Sequence, residues 1–213
     1  MKKIIELVLF ALILFLGYML WDSIMEPIRF NKSADWRKEL TVQKLKDIRN
    51  AQVAFKSQRG HYAGNFDTLI DFIKNGKIKI VKAIGNIPDS FYNKYPRKLA
   101  EEKAIEAGIV KRDTLEVSCY DSLCANKYTL DSLAYVPKSN NVKFELGAVD
   151  SLLTGSGVTI PVFECKTPYE VYLQGLDRQE IINKIDEAET LGRYPGLKVG
   201  SLTEYNNNAG NWE

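Results

Sequence analysis

Eighteen residues from Ile4 to Trp21, IIELVLFALILFLGYMLW, set the terms for everything after them. As a helix rising about 1.5 Å per residue, such a run comes close to spanning the roughly 30 Å of a bilayer core. From Leu7 to Trp21 it carries no charge, and Tyr18 and Trp21 stand at its far end, where amphipathic rings favour headgroups. Lys2 and Lys3 would also suit a signal peptide. The run ends in Gly-Tyr-Met-Leu-Trp-Asp, however, which is bulky where a signal peptidase needs small residues. We therefore expect a retained transmembrane anchor over residues 1–26. Lys2 and Lys3 favour a cytoplasmic N-terminus and a periplasmic C-terminal domain at the inner membrane. Arg29, Lys32, Arg37 and Lys38 beyond the span pull the other way. Glu6 is the one ionisable residue inside the span, and such a residue is a candidate for contacts between membrane helices. Its place within a turn of the end also lets it snorkel to water.

Glu26-Pro27 predicts a break where the anchor ends. Ser33 then suits the N-cap of a second helix running to Arg59 and stopped by Gly60, within a juxtamembrane segment at 27–64. On that helix Leu40, Ile48, Ala51 and Phe55 share a face, with Leu45 at its edge. Nine Lys or Arg between Arg29 and Arg59 face only Asp35, Glu39 and Asp47. Arg37, Lys38, Lys44, Arg49 and Lys56 are the candidates for contact with anionic headgroups or an acidic partner. The plainer reading is a solvated face. No nucleic-acid-reading motif accompanies the charge, and no nucleic-acid partner is expected.

Residues 65–205 read as a soluble α+β domain. Helices are expected from Phe66 to Asn75, with Asn65 as cap, from Pro96 to Ala107, and from Asp177 to Leu191 with Ile181, Ile182 and Ile185 inward. Strands are expected at Lys77–Val81, Thr114–Tyr120, Lys127–Tyr135, Val142–Leu146, Val158–Cys165, Tyr169–Gln174 and Leu197–Thr203. The polar tail at 206–213 is expected to fray; its one aromatic, Trp212, would be its means of docking.

Catalytic chemistry finds little purchase. The single histidine, His61, leaves most histidine-dependent triads without a base, and no phosphate-binding or nucleophile-elbow motif is present. Cys119 and Cys124 would close a small loop in an oxidising compartment, leaving Cys165 as a buried hydrophobe. Their spacing is too loose for a zinc knuckle, and neither metal nor other cofactor is expected. A hydrolase using acidic residues of the C-terminal half is the enzymatic alternative; Asp186, Glu187 and Glu189 on one helix read more simply as a solvated face.

Two resemblances bear on function. Ile4-Ile5-Glu6-Leu7 opening an apolar helix, Leu45 to Gln52 (LKDIRNAQ) and Gly60-His61-Tyr62 resemble type IV pilins and type II secretion pseudopilins. That resemblance implies a helix running past Pro27 into a globular head, with Glu6 pairing with a neighbouring subunit's amino terminus. Lys3 stands near the place where pilin leaders end in glycine, and the aromatic first mature residue is missing. Over nearly the whole chain, Glu26-Pro27-Ile28-Arg29-Phe30, Phe66-Asp67-Thr68-Leu69, Val199-Gly200-Ser201 and the ending from Asn206 look like uncharacterised envelope proteins of Bacteroidota. That resemblance implies an anchored envelope protein and brings no catalytic residues. The expectation is a non-enzymatic, single-pass subunit or scaffold of an envelope assembly, whose partners are the bilayer and envelope proteins or further copies of itself.

Overall fold

The computed structural model describes residues 2–84, 87–123, 130–155 and 157–213. Helix α1 (Lys2–Arg59) opens the chain, followed by α2 (Phe66–Asn75), β1 (Lys77–Ile84), α3 (Asp89–Lys94), α4 (Arg97–Glu106), β2 (Lys111–Ser118) and α5 (Cys119–Leu123). A 3-10 turn (Leu130–Ala134) leads into β3 (Glu145–Leu153), β4 (Thr159–Pro168), α6 (Tyr169–Tyr172), α7 (Arg178–Thr190) and β5 (Gly196–Gly200). The fold is thus α+β, and it divides into two compact units: the chain up to Phe66 with Asp131–Glu213, and Asp67–Leu130.

In the first unit, α1 is a single helix of 58 residues with Pro27 inside it. This overturns the break expected at Glu26-Pro27 and removes any N-cap role for Ser33. Proline forfeits the bond its own N–H would give to the Ser23 carbonyl and its ring crowds that carbonyl, yet the helix continues past it. The helix-forming segments on either side carry the helix through. Gly60, at φ +83°, ends it.

The C-terminal part of α1 packs on β5 and α6. Its buried face includes Phe30, Ala34, Thr41, Leu45, Ile48, Ala51, Gln52 and Phe55, so Ile48, Ala51 and Phe55 lie inward as expected. The face predicted from apolar residues is still slightly out of phase. Leu45 is fully buried rather than marginal, and Leu40 lies on the exposed side. Three polar residues of the helix, Thr41, Asp47 and Gln52, are buried with them, and Asp47 accepts from the Gln43 amide at 3.3 Å. Thr41 gives its hydroxyl to the Arg37 carbonyl (2.8 Å), and Gln52 clasps the chain after the helix. The Gln52 amide donates to the Ala63 carbonyl at 2.8 Å and its oxygen accepts from the Ala63 N–H at 2.9 Å. With both bonds made, burial costs little.

Strands β3, β4 and β5 form an antiparallel sheet with β4 in the middle. Glu145 lies opposite Lys166 and Val149 opposite Val162; the register then shifts before Leu152 meets Ile160. On β4, Phe163, Cys165 and Thr167 alternate into the core, and Tyr62 stacks on Phe163 with ring centroids 4.8 Å apart. Gly200 adopts φ +73°, and a Cβ there would stand 2.1 Å from the Phe163 carbonyl oxygen, so only glycine lets β5 close on β4.

Several local expectations fall here. Tyr169–Gln174 is not a strand: Pro168 precedes a short helix, α6, as a residue lacking an N–H suits a helix start. Of the strand expected over Lys127–Tyr135, residues 127–129 lie outside the described residues, and Leu130–Ala134 is a 3-10 turn. The Val142–Leu146 strand begins at Glu145 and runs on to Leu153. In α7, Asp177 caps the helix by accepting from the Glu180 N–H (2.9 Å), Ile181 is buried, and Ile182 is exposed. Nor does the tail fray. Gly200 N–H donates to the Ala209 carbonyl and Asn211 N–H to the Lys198 carbonyl, both at 3.0 Å, and Gly210 bridges Val199 across the free edge of β5.

The second unit pairs β1 with β2, antiparallel from Lys77 opposite Ser118 to Ile84 opposite Lys111. Leu69, Phe72 and Ile73 of α2 and Ala100 and Ala104 of α4 are buried. The Gly76 carbonyl accepts from the Cys119 N–H at 3.0 Å, starting α5 where a continuing strand to Tyr120 was expected.

Candidate functional site

What distinguishes the first unit is the contrast along α1. From Ile4 to Ile24 every large apolar side chain is exposed; Leu7, for example, keeps 71% of its surface. Exposed apolar surface on this scale marks an interaction site with a membrane or another protein. Within the segment an 18-residue window has a mean hydropathy of 2.4 and none of it is buried, which makes α1 long and apolar enough to cross a membrane. Glu6 is exposed near the start of this surface.

The basic residues of α1 lie further along, and most of them are engaged within the unit. Arg37 donates from Nη1 to the carbonyls of Tyr172 (3.3 Å) and Gln174 (2.6 Å), tying α1 to the turn after α6. Lys44 reaches Ser132, bonding its carbonyl and, at 3.1 Å, its hydroxyl. Arg49 donates to the Asn208 carbonyl and pairs with Glu213 at 2.6 Å. Lys56 lies over the Tyr62 ring, 4.7 Å from its centroid. Lys38 is exposed beside a recess of about 630 Å³ that Lys184, Arg193 and Tyr194 also line. These side chains do not converge on one surface. They are spaced along the helix and mostly fasten loops to it.

The tail is built onto the same scaffold. Asn207 and Asn208 occupy left-handed positions, φ +54° and +59°, which asparagine tolerates better than most residues. Asn208 then donates its side-chain amide to the Tyr62 hydroxyl at 2.9 Å, and Asn211 donates its own to the Gly196 carbonyl at 2.8 Å. Trp212 packs over Gly210 on its own chain, its Nε1 buried without a hydrogen-bond partner. The Arg49 guanidinium holds the Glu213 carboxyl below the usual range. An asparagine run reads as disorder in a sequence; only its adjacent left-handed turns reveal a docked strand.

Cys165 is fully buried, and burial pushes its thiol pKa up. Cys119 is buried in the second unit, while Cys124 lies outside the described residues. Burial also raises the Tyr172 hydroxyl and takes Tyr194 up to about 12, with Glu145 and Glu164 contributing at Tyr194. Among the described residues no three His, Cys, Asp or Glu stand close enough to hold a metal ion. His61 is exposed, its Nδ1 3.1 Å from the Arg59 carbonyl and its ring edge-on to Phe55.

No protein-family model matches the chain, and no curated protein or solved structure is significantly similar to it.

Proposed function

We propose that this chain is a membrane-anchored, non-enzymatic subunit of a bacterial envelope assembly. In this reading residues 4–21 of α1 cross the inner membrane and the first unit stands in the periplasm. The observation that carries it is the two-part character of α1, one helix that is bare and apolar over its first part and core-packed over its second. The short charged stretch at Lys2 and Lys3 supports a cytoplasmic start. The internal use of Arg37, Lys44, Arg49 and Lys56 favours the apolar helix over the basic face as the surface that meets a partner.

A specific observation favours a second reading, that of a pilin-like filament subunit. The helix runs unbroken through Pro27 into an antiparallel sheet packed on its C-terminal part, and Glu6 sits near the start of its bare segment. Here the bare surface would pack against the same surface of neighbouring copies.

Crosslinking and pull-down of the tagged full chain from native membranes, with and without Glu6→Ala, tests both. Recovery of other envelope proteins in fixed ratio, weakened by the substitution, is expected for the assembly subunit. Recovery of the chain alone in ladders of copies would favour the filament. Recovery of uncrosslinked monomer from both proteins would defeat both readings.

A further inference from the structure

The transition along α1 is abrupt, and it leaves no stalk between the apolar run and the folded part of the first unit. Trp21 is exposed, Met25 and Pro27 are already half-buried, and Phe30 keeps 4% of its surface. At 1.5 Å per residue, Met25 is about 6 Å and Phe30 about 13 Å along the axis from Trp21. The headgroup layer on each side of a bilayer is itself about 5–7 Å thick. Folded chain therefore begins at the outer edge of the headgroups.

The turn from Gly175 to Asp177 lies beside the end of the apolar run. It forms, with Asp22, Glu26 and Arg29, the walls of a recess of about 390 Å³ beside α1. The turn is fixed rather than loose. Arg37 holds the Tyr172 and Gln174 carbonyls, Gly175 takes φ +82°, the Asn140 N–H donates to the Gln174 side chain at 3.3 Å, and Asp177 caps α7. The charges at this end nearly balance: Arg29, Lys32 and Arg178 against Asp22, Glu26, Asp177 and Glu180, with Asp22 3.8 Å from Arg29.

We propose that the Gly175–Asp177 turn and the first turn of α7 rest on the lipid headgroup layer, making the folded unit a second, peripheral membrane contact fixed by the helix. This rests on the membrane-spanning reading of residues 4–21. Continuity of α1 selects lipid as the occupant, because a bilayer holding Trp21 at its interface necessarily meets whatever lies one or two helical turns above it. Nearly balanced charge means that the contact does not depend on anionic lipid.

The test uses the full chain in nanodiscs of phosphatidylcholine alone, with a fluorophore carried by a genetically encoded azide-bearing residue at one position at a time. A label replacing Arg178 is expected to lose emission to a headgroup-attached quencher about as strongly as one replacing Trp21. A label replacing Tyr205, which lies beside Lys56 and hence about 50 Å further along the helix axis, is expected to lose none. A label replacing Leu14 reports the span itself through a quencher at the bilayer centre. Quenching at 14 with none at 178 overturns this contact and leaves the anchor standing. Absence of quenching at 14 overturns both. Photocrosslinking from position 178 to a second copy in place of lipid also overturns it, since the turn is then a protein interface.

Discussion

The two parts of α1 share one backbone conformation and nothing else. Between Phe30 and Phe55 its core-facing positions are closed to solvent and include Thr41 and Gln52, each with its hydrogen bonds made inside the fold. Between Ile4 and Ile24 the apolar residues surround the helix, with no face distinguished and none buried. A helix buried on one side needs amphipathic spacing; one that is apolar all round needs a surrounding medium or neighbours. The lesson is that the same element is stabilised from within the chain over one part and depends on something outside it over the other.

The sharpest way to break this contrast is a pair of truncations. Leu45→Ala should destabilise the first unit by about 2–5 kcal/mol, from lost burial and the cavity left behind. The same change at Leu14 should leave the denaturation midpoint in detergent where it was. Equal effects at both sites would abolish the distinction. The reverse experiment places a charge in the bare segment. On the membrane-spanning reading, Leu14→Arg should cost about 2.5–3.5 kcal/mol in membrane insertion, read as a shift of protein out of the membrane fraction, with no change in the folded unit's stability.

Smaller effects sharpen the description of the packed part. Gln52→Ala strands the Ala63 N–H and carbonyl and should cost about 1–3 kcal/mol by chemical denaturation, with faster amide exchange at Ala63. The Arg49–Glu213 pair is partly exposed, so Glu213→Gln should cost only about 0.2–1 kcal/mol. Its pH dependence has a defined sign. The folded-state pKa of Glu213 is lowered, so the contribution is present above the ordinary carboxylate range and disappears as pH falls through the depressed value. Wild type and Glu213→Gln should therefore converge in stability in acid. A difference that persists there would mean that the substitution acts through something other than loss of the ionised pair.

Much of the first unit was legible from residue chemistry. The apolar run, the Gly60 stop, the helix beginning about Asp177 and the strands around Val162 and Val199 all follow local rules that the tertiary structure obeys. What was not legible is where tertiary contacts outvote those rules. Pro27 reads as a breaker because the bond it forfeits is visible in the sequence and the two flanking helical segments that outweigh it are not. Gln52 reads as surface because its partner, Ala63, lies beyond a turn. Tyr169 to Gln174 is rich in strand formers, yet Pro168 and the Arg37 clamp on the Tyr172 and Gln174 carbonyls favour a helical turn. The candidate site was legible as composition, an apolar run with one acidic residue. The internal employment of the basic residues was not, because a lysine bound for a carbonyl and one bound for solvent look alike until the fold is known.

The continuous passage of α1 through Pro27 also gives the first unit a long arm. From Trp21 to Arg59 the helix is continuous over about 57 Å of rise, so a tilt of about 10° at one end sweeps the other through about 10 Å. On the membrane-spanning reading proposed above, thinning of the bilayer or a sideways push by a neighbour on the apolar arm would be passed along α1 toward the Tyr62 end. The same continuity works in reverse, passing load applied to the sheet to the apolar arm as torque.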